Sequence, residues 1–155
     1  MALLNYTTTI GVHKTLGEIQ QKLVDHGARK LMFDYDDKAR IESISFMVMT
    51  PEGERGVRLP ANIPAIFEVL KQQKRAGKIK TNPDYAQAER VAWRIIKDWV
   101  EAQMAIIETR MVQFEEVFLP YMLNQKGQTF FEAYKLKQLD TGEGQMEIKG
   151  EVIDL

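Results

Sequence analysis

The chain of 155 residues has no cysteine, which excludes disulfide frameworks, thiolate nucleophiles and cysteine-ligated zinc or iron–sulfur centres. Histidine is nearly as scarce. With only His13 and His26, a histidine metal site would need carboxylates or a second chain to complete its coordination. No run of about 18 apolar residues occurs, so no hydrophobic membrane-spanning helix is expected. Residues 1–9 lack a basic stretch followed by an apolar one, so no secretory signal is expected either, and the expected location is the cytoplasm. The 10 glycines are isolated and form no phosphate-cradling loop. The composition that remains, 45% hydrophobic and 28% charged, suits one globular domain with its own core.

The formal charge of −1 is unevenly spread. Residues 71–97 hold eight basic side chains (Lys71, Lys74, Arg75, Lys78, Lys80, Arg90, Arg94, Lys97) against two acidic ones, Asp84 and Glu89. Residues 98–155 hold five basic and eleven acidic side chains. A basic middle beside an acidic last third is the one large compositional signal.

Thr-rich, β-branched residues 6–12 predict a short first strand. Thr15 and Glu18 then have the spacing of a capping box, which predicts a helix over 16–26 with Leu16, Ile19, Leu23 and Val24 on its apolar face and Gly27 as its stop. Residues 30–35 and 41–49, flanking the polar group 36–39, predict a hairpin, and 56–59 a third antiparallel strand. Asn62 before Ile63-Pro64 marks the next helix, which stops at Gly77. Residues 78–81 form a basic linker, and Asn82-Pro83 is expected to open the longest helix, 83–108. Its apolar residues fill roughly 220° of a helical wheel. An arc that wide predicts burial on more than one side, by the sheet or by a second copy of the chain, so a homo-oligomer is expected. Residues 111–118 read as helix interrupted by Pro120, and Thr129 with Glu132 opens a last helix by a second capping-box spacing.

Asp34, Asp36, Asp37 and Glu42 could gather oxygens for a hard cation, but aspartate is also common in hairpin turns because it bonds its own backbone; the turn is the preferred reading. His13 and His26 lie too far apart along one helix to act together, and His26 suits a helix C-terminus. No acid–base or nucleophile constellation is present, so no catalysis, cofactor or metal is expected. The basic segment is the stronger signal. Lys71, Lys74, Arg75, Lys78 and Lys80 end one helix and line the linker, while Arg90, Arg94 and Lys97 stripe the next. Clustered cations bind phosphate by releasing counterions, although Lys71, Lys74 and Arg75 also complement a helix C-terminus and the 90–97 stripe could be an ordinary solvated face. Trp93 and Trp99 are expected in the core. Tyr121, Phe130, Phe131 and Tyr134 either cover it or form a protein-binding surface.

Two stretches carry a resemblance. Gly17-Glu18-Ile19-Gln20, with Gly27-Ala28-Arg29-Lys30 and Asp34-Tyr35-Asp36-Asp37, is one; Arg90 through Gln103, continuing to Phe118-Leu119-Pro120-Tyr121, is the other. Over about residues 5–138 the chain resembles a family of small uncharacterised proteins encoded by phages and prophages of Gram-positive bacteria. The resemblance implies an accessory protein acting inside a bacterial host cell and supplies no catalytic residues. The α-β-β-β-α order expected over 16–76 is also that of double-stranded-RNA-binding domains, but the second helix opens Pro60-Ala61-Asn62-Ile63-Pro64 without their basic cluster, so that likeness stops at element order.

The combined expectation is an α+β domain over residues 1–138: a small antiparallel sheet with one packed helix (β-α-β-β-β), then a helical C-terminal half around a long central helix, then a mobile acidic tail over 139–155. The expected function is non-enzymatic nucleic-acid binding in phage replication or recombination through Lys71, Lys74, Arg75, Lys78 and Lys80, with Arg90 and Arg94 beside them. The alternative is a counter-defence protein that blocks a host immune effector of the CRISPR-nuclease type, or sequesters a nucleotide immune signal.

Overall fold

The computed structural model describes residues 1–141; from residue 142 onward the expected acidic tail lies outside the described residues. The protein is α+β, with a three-stranded antiparallel sheet followed by a helical C-terminal half. Helix α1 spans Val12–Asp25, strand β1 Ala28–Tyr35, β2 Ile41–Thr50, β3 Gly53–Pro60, α2 Ile63–Arg75 and α3 Tyr85–Glu108. A short α4 (Phe114–Phe118), a 3-10 turn (Leu119–Tyr121) and α5 (Phe130–Thr141) complete it.

The expected first strand does not form. The backbone of residues 3–8 is instead tied to helix side chains, as a strap. Leu3 N–H donates to Gln73 Oε1 at 2.9 Å, and Gln87 Nε2 donates to the carbonyls of Tyr6 and Thr8, both at 2.9 Å. Asn5 Nδ2 donates to Asp98 Oδ2 at 2.8 Å. These bonds satisfy polar groups that a strand would have satisfied in a sheet. Helix α1 accordingly begins a turn earlier than the capping-box spacing predicts, with Gly11 at its N-cap. Val12 extends the apolar stripe of Leu16, Ile19 and Leu23 onto the core, and Thr15 is fully buried inside the helix, its hydroxyl donating to Gly11 O at 3.3 Å.

The sheet alternates with period two. Leu31, Phe33, Ile44, Phe46, Val57 and Leu59 lie on one face, in register and in or packed on the core. Lys30, Met32, Asp34, Ser45, Met47 and Arg58 lie on the other. The first hairpin is closed by Asp36, whose Oδ1 accepts from Lys38 N–H at 2.8 Å and Arg40 N–H at 2.9 Å, with Ala39 at φ 59. The preferred turn reading of the acidic group therefore describes Asp36, while Asp34 Oδ2 accepts from Ser43 Oγ at 2.7 Å.

Helix α2 begins as expected, Asn62 Oδ1 accepting from Ala65 N–H at 3.2 Å, and ends at Gly77 in the left-handed region, φ 72. Helix α3 begins two residues later than expected because Asp84, not Asn82, is its cap: the carboxylate accepts from Gln87 N–H at 2.7 Å. It packs on both α1 and α2, burying Val91, Ala92, Trp93, Val100 and Met104. Trp99 meets Phe118 edge-on at 5.5 Å, and Phe118 meets Phe46 edge-on at 5.9 Å. Much of the wide apolar arc of α3 is thus covered by its own chain, while Ile95, Ile96, Trp99, Ile106 and Ile107 are partly buried and Ala102 is exposed.

After α3 the chain reverses at Arg110, φ 64, so the helix expected over 111–118 shrinks to α4. Met122 then bridges Val57 at the free side of β3. Helix α5 opens on the expected reciprocal cap: Glu132 N–H donates to Thr129 Oγ1 at 3.1 Å and Thr129 N–H to Glu132 Oε1 at 3.4 Å.

Candidate nucleic-acid interface

The basic residues singled out by sequence fall into two groups with different surroundings. Lys71, Lys74 and Arg75 occupy the last turns of α2, where lysine and arginine oppose the partial negative charge of the helix end. Lys71 Nζ sits 3.0 Å from Glu68 Oε2 and 4.6 Å from the centre of the Phe67 ring. Arg75 Nη2 lies 3.4 Å from Glu68 Oε1. Hydrogen bonding from Lys71, reinforced by its charge and by Arg75, holds the Glu68 carboxyl below its usual range.

Lys74 Nζ donates to the carbonyl of Lys80 at 2.6 Å, folding the linker back on the helix. Lys78 N–H donates to Gln73 O at 2.9 Å, and Ile79 between the two linker lysines is buried. The linker therefore has a defined course, with Lys78 and Lys80 exposed along it and Arg75 exposed at the helix end before it. Loop cations held on a fixed backbone are better preorganised for phosphate than the same cations on a floppy chain.

Arg90 and Arg94 are placed differently. Arg90 donates through Nε and Nη2 to Gln87 Oε1 at 2.9 and 2.6 Å, so it braces the glutamine that holds the strap. Arg94 turns to α1 and pairs with Glu18, its side chain only 13% exposed. Lys97 Nζ reaches Glu101 Oε2 at 2.7 Å, and Lys22 of α1 approaches the same carboxylate at 3.4 Å. Hydrogen bonding from Lys97 foremost, then the charge of Lys97 and the Lys22 contact, lowers the Glu101 carboxyl. The 90–97 stripe is thus the polar seam between α1 and α3. Helical periodicity shows which residues share a side of α3 but not that α1 lies against that side.

Three features escaped sequence reasoning. Glu68 sits within the basic cluster and neutralises part of it; its i,i+3 spacing to Lys71 was the available signal. His26 joins the C-terminal ends of α1 and α3, its Nδ1 at 2.8 Å from Lys22 O and its Nε2 at 2.5 Å from Glu108 Oε1. A cavity of about 410 Å³ opens beside it, lined by Val48, Met49, Ile107, Phe114 and Glu115 among others. No sequence spacing brings those segments together. At the C-terminal end, Tyr121 packs edge-on against Trp99 at 5.5 Å, whereas Phe131 is half exposed beside Tyr134.

Among the described residues no helix is long and apolar enough to cross a membrane, and no three carboxylate or histidine side chains are grouped to hold a metal ion. No family model, no curated protein and no solved structure matches the chain, so its functional reading rests on the residues themselves.

Proposed function

We propose that the protein binds nucleic acid without catalysing a reaction on it, through Arg75 at the end of α2 and Lys78 and Lys80 on the linker, with Lys71 and Lys74 framing them. The observation that carries this reading is the fixed course of the linker: buried Ile79 and the Lys74–Lys80 hydrogen bond hold the exposed cations in place. A backbone of phosphates is the polymer such a row of cations suits, and neutralising it releases counterions. Phage replication or recombination is the setting proposed for this binding, the one expected from the sequence resemblance to phage and prophage accessory proteins.

The test is binding to labelled single- and double-stranded DNA and RNA at low and moderate salt. Affinity should fall steeply with salt, and the double variant Lys78→Glu/Lys80→Glu should bind at least about tenfold more weakly with a flatter salt slope. Absence of binding at low salt, or binding indifferent to the double reversal, overturns the reading.

A further inference from the structure

The two edges of the sheet are treated differently. At β3, Leu123 N–H donates to Gly56 O at 2.8 Å and Met122 bridges Val57, so that edge is covered at its middle. At β1, no strand among the described residues pairs with the side away from β2. The ladder shows which groups face outward there. Ala61 N–H donates to Glu42 O at 2.9 Å, while Ser43 lies opposite Pro60, which has no N–H to give. Residues 42, 44 and 46 therefore bond toward β3, and Ser43, Ser45 and Met47 bond toward β1. Their partners Asp34, Met32 and Lys30 turn their backbone groups inward. Leu31 and Phe33, between them, turn theirs out of the sheet.

We propose that this edge pairs with the same edge of a second copy, about a two-fold axis through Met32, to make one continuous antiparallel sheet of six strands. The strand's own sequence selects that register. A two-fold perpendicular to the sheet keeps like faces together, so Leu31 meets Phe33 of the second copy, and both residues have outward N–H and C=O groups to exchange. On the opposite face Met32, 58% exposed, meets Met32 of the second copy. Lys30 then stands opposite Asp34 of the second copy, and Asp34 opposite its Lys30. Moving the axis to Leu31 sets Lys30 against Met32, and moving it to Phe33 sets Asp34 against Met32; both lose the charge match.

The charged groups are available for this pairing. Lys30 Nζ lies 3.9 Å from Glu54 Oε1, and the Lys30 side chain is largely exposed. Asp34 uses Oδ2 for Ser43, leaving Oδ1. A lone lysine on an edge strand deters pairing with other strands. A lysine matched by an aspartate four residues on deters foreign strands while admitting a second copy.

Sedimentation across a concentration series tests the proposal with wild type, Lys30→Glu, Asp34→Lys and the double swap Lys30→Glu/Asp34→Lys. Wild type should dimerise. Each single change creates two like-charge contacts and should weaken the dimer at least about tenfold, while the double swap should restore it. Met32→Glu, which sets two carboxylates face to face on the axis, should also yield monomers. The three substituted residues lie outside the buried core, so circular dichroism of all four variants should match wild type. A wild type that stays monomeric, single variants that dimerise as it does, or a double swap that fails to recover each overturns this interface.

Discussion

Arg94 shows how one side chain changes meaning once its neighbours are known. On an isolated helix it is a cation on the polar side; in the folded chain it closes on Glu18 with little solvent access. An arginine so enclosed costs stability when it is truncated, because Glu18 is left partly desolvated without a partner. Arg94→Gln should lower unfolding free energy by about 1–2 kcal/mol in urea titrations and leave nucleic-acid affinity unchanged. Lys78→Glu should do the reverse, weakening binding with stability near wild type. A pair of variants with both properties altered together would contradict the separation of seam from linker. Trp93 is the other residue whose setting is unusual: fully buried, with an indole N–H that meets no acceptor among the described residues.

At the scale of elements, what was legible in the sequence depended on local chemistry. The hairpin at Asp36, the Asn62 cap, the Gly77 stop and the Thr129–Glu132 box all use partners within four residues, so spacing alone locates them. The segment 6–12 has the composition of a strand, but composition does not reveal which edge will receive it, and Gln87 took the carbonyls of Tyr6 and Thr8 instead. Thr15 with Glu18 has correct capping-box spacing yet sits inside α1, because the apolar stripe reaches back to Val12. The lysines of the linker were legible as a cluster; their fixed course was not, since buried Ile79 depends on the tertiary fold. The start of α3 is a direct check on the same logic. Asp84→Ala should cost about 1 kcal/mol by removing the hydrogen bond to Gln87 N–H, whereas Asn82→Ala should leave the thermal midpoint almost unmoved.

For the whole molecule, acid should be the sensitive direction. Asp36 is lowered chiefly by the Arg40 backbone N–H, and Glu68 and Glu101 by their lysines. Burial works to raise the Glu132 carboxyl, but hydrogen bonds from Arg58 and Thr129 outweigh it and leave it low. A carboxyl whose folded pKa lies below its unfolded value takes up its proton more readily when the chain unfolds. The stability these four groups lend is complete above the unfolded values of 3.8 and 4.5. It is lost as pH falls through that range toward the lower folded values. Urea midpoints should therefore decline progressively below about pH 5, while Arg58→Gln, which removes the principal cation beside Glu132, should flatten part of that decline.

The strap across the helices also has a consequence for the order of events during synthesis. Its anchors, Gln73, Gln87 and Asp98, are made long after the residues they hold. This segment leaves the ribosome well before its anchors and is therefore among the last to find its place. Until α3 has emerged, residues 3–8 have nothing to dock on, while the β1–β2–β3 meander can already form from neighbouring sequence. An extension fused to the amino terminus would burden that late docking step and leave the early hairpins untouched.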